Sequence, residues 1–142
     1  MLTGLESFQV QVEVPVQWGD MDAAGHVNNV IYLRWCESAR ITYFEKIDID
    51  LSFRDGVGPI LGWQDCKYIF PMTYPDRALI GIKVEEIRED RFLMLAHIYS
   101  QKHERLAIIS KQAIVPYDYG QLAKAPIPEN WLTNIKAVEG WA

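Results

Sequence analysis

Two carboxylates and a histidine, Asp20, Asp22 and His26, fall inside the run Trp-Gly-Asp-Met-Asp-Ala-Ala-Gly-His-Val-Asn-Asn that begins at Trp18. Gly25 supplies a hinge in that run, and Asn28 or Asn29 is a suitable cap for a following helix. A helix start is a cluster of unpaired N–H groups at the positive end of the helix dipole. A carboxylate held beside such a cluster can attack a carbonyl, or activate water to attack it, while the N–H groups receive the carbonyl oxygen. The segment therefore points to acyl chemistry. The same three side chains are also hard or borderline metal donors, but no further His or Cys cluster joins them in the sequence.

The elements that must position these residues are legible from periodicity. Phe8, Val10, Val12, Val14 and Val16 alternate with polar residues, which predicts a half-buried first strand, with Pro15 marking an edge or bulge. After the loop, Ile31, Trp35, Ala39 and Tyr43 recur every four residues, flanked by Tyr32, Cys36 and Phe44. That spacing predicts a helix of about five turns from Asn29 to about Ile47. Glu37 and Arg40, three apart on its polar side, read as a helix ion pair. A β-like stretch from Pro59 to Phe70 follows, then the proline-rich turn Pro71–Asp76. Three more alternating runs begin at Ala78, Phe92 and Leu106, joined by polar turns at Glu89–Arg91 and Gln101–Arg105. Pro128, Trp131, Ile135, Val138 and Gly140 outline a short terminal helix.

One long apolar helix with four strands after it and one before predicts an α+β fold: an antiparallel five-stranded sheet wrapped around one central helix. Length favours a single domain over residues 1–142, with a core at about 8–117 and a tail at 118–142. A small sheet covered by one helix leaves an edge or face to protect, so a homodimer or homotetramer is expected. Net charge is −5, from 14 Lys and Arg against 19 Asp and Glu, and no basic run marks a nucleic-acid footprint. Two cysteines, Cys36 and Cys66, make no disulfide framework. Met1–Phe8 lacks a secretory signal pattern, and no stretch is long and apolar enough for a membrane span. A cytoplasmic location is expected.

The stretch Gly19–Asn29, followed by Tyr32, Trp35, Glu37, Ala39 and Arg40, resembles the acyl-CoA thioesterases of the hotdog fold, in the 4-hydroxybenzoyl-CoA thioesterase-like branch. The stretch Tyr68-Ile-Phe-Pro-Met-Thr-Tyr-Pro-Asp76 is a second match, and the resemblance runs from about Val10 to Tyr117. It implies that Asp22 is the catalytic carboxylate and that the backbone N–H at Asn29 polarises the thioester carbonyl. It also implies a substrate carried on CoA or acyl carrier protein, bound at a subunit interface, and no cofactor and no metal. Asp22 would act as nucleophile or as general base. His26 would orient water or a carboxylate, or bond a backbone carbonyl. Asp20 is expected to be structural, holding Gly25 or a helix N–H.

Candidate substrate contacts follow from the same likeness. Tyr32, Trp35, Trp63 and Met72 are expected to wall the acyl pocket. Arg88 and Arg91 are expected near the CoA phosphates, although Glu89 and Asp90 interrupt the family's basic run; Lys102, His103 and Arg105 are the substitutes. Glu37 is the reserve catalyst, because another hotdog branch uses a helix carboxylate. Two other functions stay open at this point. One is a non-catalytic acyl-thioester-binding protein on the same fold. The other is an enoyl-thioester hydratase, whose active loop carries a similar Asp and His pair at a spacing one residue longer than Asp22 and His26.

Overall fold

The computed structural model describes residues 4–52 and 56–141; the first three residues of the Met1–Phe8 stretch lie outside that range. Strand β1 (Val10–Pro15) leads through a single 3-10 turn (Trp18–Asp20) and a loop into helix α1 (Asn29–Lys46). Then come β2 (Val57–Gln64), β3 (Lys67–Tyr68), β4 (Arg77–Ile87), β5 (Phe92–Ser100), β6 (Arg105–Asp118), β7 (Ala123–Lys124) and helix α2 (Glu129–Glu139). Five long strands form one antiparallel sheet in the order β1-β4-β5-β6-β2, and the two-residue strands β3 and β7 pair with β6, making seven. The stretch expected as one strand from Pro59 to Phe70 breaks at Asp65 and Cys66, where the Asp65 carboxylate accepts the Lys111 N–H (2.7 Å). Helix α2 forms where its sequence signals place it, although Pro128, expected at its first position, is its N-cap one residue earlier; Gly140 closes it in the left-handed region at φ +73°.

The sheet curls around α1 because both carry matching apolar faces. Ile31, Trp35, Ala39 and Tyr43 are buried with Tyr32, Cys36 and Phe44 on one side of the helix. They meet the inward residues of the central strands: Ile80, Ile82 and Val84 on β4, Met94, Ala96 and Ile98 on β5, and Ile108 and Ile114 on β6. Burial of this many side chains, each contributing about 1.5–3 kcal/mol, is the main force closing the fold. Arg40 departs from the expected surface ion pair. It is only 6% exposed, and its Nη1 donates to Gln112 Oε1 (2.8 Å). Desolvation lowers its pKa, and no Glu37–Arg40 ion pair forms among the described residues.

Phe8 also departs from the alternation. The strand starts at Val10, and Phe8 instead packs with Leu5 and Leu79 on the opposite face of the sheet. Gly81 makes room for it, since a Cβ there would come within 2.5 Å of the Phe8 ring.

Candidate active site

The loop between β1 and α1 is held by backbone bonds. Asp22 N–H donates to the His26 carbonyl (3.0 Å), and Gly25 N–H donates to the Asp22 carbonyl (2.9 Å). Gly25 completes this turn at φ +80°, a conformation that costs glycine little. Val27 N–H donates to Met72 O and Asn28 N–H to Asp20 O, both at 2.9 Å. The loop is thus tied at its base to the segment before β4.

Each side chain of the loop has a separate task. Asp20 is buried, and its Oδ2 accepts the Gln17 N–H (2.7 Å). It is structural as expected, but it holds the start of the 3-10 turn and not Gly25 or a helix N–H. Asn28 is the N-cap of α1, its Oδ1 accepting the Val30 N–H (3.1 Å). Its carbonyl takes the Ile31 N–H (2.9 Å), so the Asn29 N–H is left with no acceptor among the described residues. Asp22 is exposed, and one oxygen, Oδ1, accepts the Ala24 N–H (2.9 Å). Its second oxygen has no hydrogen-bond donor among the described residues.

Asp22, His26, Asn29 and Tyr32 line one open cavity of about 280 Å³, together with Tyr68 and Phe70. Neither Tyr68 nor Phe70 is among the site residues expected from the sequence; both sit in the second matching stretch, Tyr68–Asp76, which is the signal that points to them. Tyr32 is buried, its hydroxyl accepts the Met72 N–H (3.0 Å), and burial raises its phenol pKa. The Tyr68 hydroxyl donates to the Asn29 carbonyl (3.3 Å). Phe70 carries the His103 ring at 5.2 Å and the Arg105 guanidinium at 4.7 Å.

The remaining candidates separate into two groups. Trp35 and Met72 are core residues that line neither this cavity nor a second one. Trp35 packs edge-on against Tyr32 (5.3 Å), and Met72 serves the loop through its backbone. Trp63, Arg88 and Arg91 come together instead at a second cavity of about 570 Å³, with Lys111 and Glu85. Both arginines there are paired with sequence neighbours, Arg88 with Glu86 (2.6 Å) and Arg91 with Asp90 (2.9 Å). Burial pushes the Cys36 thiol up to about 12, which keeps it out of nucleophilic chemistry at neutral pH. Among the described residues, no group of three or more His, Cys, Asp or Glu is placed to hold a metal ion.

An exposed carboxylate and a helix-start residue with a free N–H, both lining one cavity, suit acyl transfer. Residues 16–135 match the thioesterase-like superfamily. The chain belongs to that superfamily. It is a thioesterase with the hotdog fold. Among solved structures, it is similar to a thioesterase from Thermus thermophilus complexed with coenzyme A and Zn: 28% identity, 96% of this chain and 98% of that one covered, TM-score 0.84. A 1,4-dihydroxy-2-naphthoyl-CoA thioesterase from Synechocystis is 22% identical, over 89% of this thioesterase and 94% of its own chain, with a TM-score of 0.79. A gentisyl-coenzyme A thioesterase is 21% identical, over 88% and 98%, also at 0.79. These last two show the fold alone. No curated protein matches the sequence.

Proposed function

We propose that this thioesterase hydrolyses an acyl-CoA to the free acid and CoA thiol, with Asp22 as its catalytic carboxylate. The supporting observation is that Asp22, with one unbonded carboxylate oxygen, and Asn29, whose N–H has no acceptor among the described residues, line the same cavity. The Asp22 Oδ1 bond to Ala24 N–H orients the carboxylate and leaves Oδ2 for the reaction. In the nucleophilic course, Oδ2 attacks the thioester carbonyl carbon, and the displaced electron pair moves onto the oxygen facing Asn29 N–H. Collapse expels the thiolate, which takes a proton from solvent, and water then cleaves the acyl–Asp22 anhydride. In the general-base course, Asp22 takes the proton of a water that attacks directly. Both courses need the same two groups.

On this reading Tyr32 walls the acyl pocket, with Trp35 and Met72 behind it. His26, on the cavity rim, orients water. The CoA phosphates meet Arg88 and Arg91 beside Trp63, or the alternative set Lys102, His103 and Arg105. The contacts of His103 and Arg105 with Phe70 favour the second set as the nearer to Asp22. The enzyme works as a homodimer or homotetramer in the cytoplasm. Both cysteines are free, which suits a reducing compartment, and no described helix is long and apolar enough to cross a membrane.

Thiol release from a panel of aryl, short-chain and long-chain acyl-CoAs, with acyl carrier protein thioesters included, tests the reading. Asp22→Asn should keep the fold and lose about a hundredfold or more in kcat on the best substrate. Wild-type thiol release by Asp22→Asn would remove Asp22 from the mechanism.

A further inference from the structure

Tyr68 sits on the two-residue strand β3, and core burial does not explain its side chain, which is 47% exposed. Its hydroxyl lies beside the Cys66 thiol, two residues back, and its other contacts belong to α1. The ring meets Tyr32 of α1 edge-on, with centroids 5.8 Å apart at 70°. The hydroxyl reaches the carbonyl of Asn29, the first residue of α1 (3.3 Å). Tyr32 in turn accepts the Met72 N–H, and Met72 O accepts the N–H of Val27 in the Asp22 loop. Tyr68 is therefore one end of a chain of contacts that joins β3, the start of α1 and the Asp22 loop. It also lines their common cavity.

We propose that Tyr68 is a positioning residue for thioester hydrolysis: its hydroxyl fixes the first turn of α1 through the Asn29 carbonyl and so keeps the Asn29 N–H aimed at the substrate carbonyl. The proposal rests on the roles given above to Asp22 and Asn29. The physical reason is local. The Asn29 N–H lies in the peptide plane shared with Asn28, whose carbonyl accepts the Ile31 N–H, and the Asn29 carbonyl lies in the next plane. A donor on that carbonyl restrains the Asn29 Cα that joins the two planes and so limits how far the N–H can swing. Small errors of aim at an oxyanion donor lower the rate without weakening ground-state binding. Desolvation, and then the hydrogen bond with the Cys66 thiol, push the Tyr68 phenol up to about 12. The hydroxyl accordingly stays a donor throughout the working range, and its contribution does not vary with pH.

Tyr68→Phe removes the hydroxyl and keeps the ring against Tyr32. Single-turnover hydrolysis of the best acyl-CoA should slow by about tenfold, with KM changed by less than about twofold. The ratio to wild type should be constant from about pH 6 to 9, and the thermal midpoint should stay close to wild type. A wild-type rate, a loss confined to KM, or a ratio that changes with pH would overturn the positioning role. Asp22→Asn measured alongside separates the two levels. An inactive Asp22→Asn with a wild-type Tyr68→Phe defeats this inference alone, whereas an active Asp22→Asn defeats the mechanism beneath it as well.

Discussion

Side chains buried for packing carry chemistry of their own, and His97 is the clearest case outside the candidate site. It lies on the sheet face opposite α1, with its ring 5.0 Å from Phe8 and 6.5 Å from Tyr99. Its Nδ1 is buried and has no hydrogen-bond partner among the described residues. Burial first, and then the Lys83 cation, hold the imidazole below its ordinary pKa, while Glu85 pulls weakly the other way. The folded protein thus binds this proton less readily than the unfolded chain does. The stability His97 permits is complete above the unfolded value of about 6.5 and falls as pH drops through it, levelling off once the folded imidazole itself titrates. Urea midpoints of wild type and His97→Gln, compared from about pH 8 to pH 5, should show wild type losing ground to the variant as pH falls. A pH-independent difference between the two would show that His97 does not titrate on unfolding.

At the scale of elements, alternation and four-residue spacing made α1 and the three long strands legible, because each puts one apolar face on one core. The loop and cap were legible for a different reason: Gly25 and Asn28 have backbone tasks that few other residues perform as well. Pairings between distant segments left weaker marks. Nothing local to Arg40 announces that Gln112 will receive it inside the core, and Phe8 fits the strand alternation although it crosses to the other face. Trp63, Arg88 and Arg91 gather because Ala113 of β6 pairs with Trp63 of β2 on one side and with Leu93 of β5 on the other, next to the β4–β5 turn that carries both arginines. Helix α2 was visible by its caps, but the bonds that fasten it at Glu139 were not. Glu139 Oε2 accepts the hydroxyl of buried Tyr43 (2.6 Å) and the N–H of Val84 (3.1 Å), where a bulge opens β4. Burial and this carboxylate raise the Tyr43 phenol far above the usual range. Glu139→Ala leaves both donors without an acceptor and should destabilise the fold by about 2–4 kcal/mol, read from denaturant midpoints. Glu139→Gln, which keeps an acceptor oxygen, should cost less. Equal stability of Glu139→Ala and wild type would show that packing and the Asn134–Ile47 bond (2.8 Å) hold α2 without Glu139.

For the whole molecule, the two ends of the sheet differ in how they are protected, and that difference predicts which one another copy covers. At one end β1 has Pro15, which offers no N–H, and the exposed Glu13–Arg77 pair (3.4 Å). Charges and proline on an edge discourage further pairing. At the other end β2 pairs, among the described residues, only with β6, and it exposes Ile60 (39%), Leu61 (41%) and Trp63 (54%). Ile41 and Leu51 border the same region, with Phe44 beneath. An apolar edge of this kind is a liability in a monomer, and antiparallel pairing of β2 with the β2 of a second copy would satisfy its free backbone groups and bury those side chains. Light scattering after gel filtration should give a mass of at least two chains for wild type. Leu61→Lys places a charge in the middle of that edge and should shift the mass to one chain while circular dichroism stays unchanged. A wild-type protein that runs as a monomer, or a Leu61→Lys variant that keeps the full assembly mass, would place the subunit contact elsewhere or nowhere.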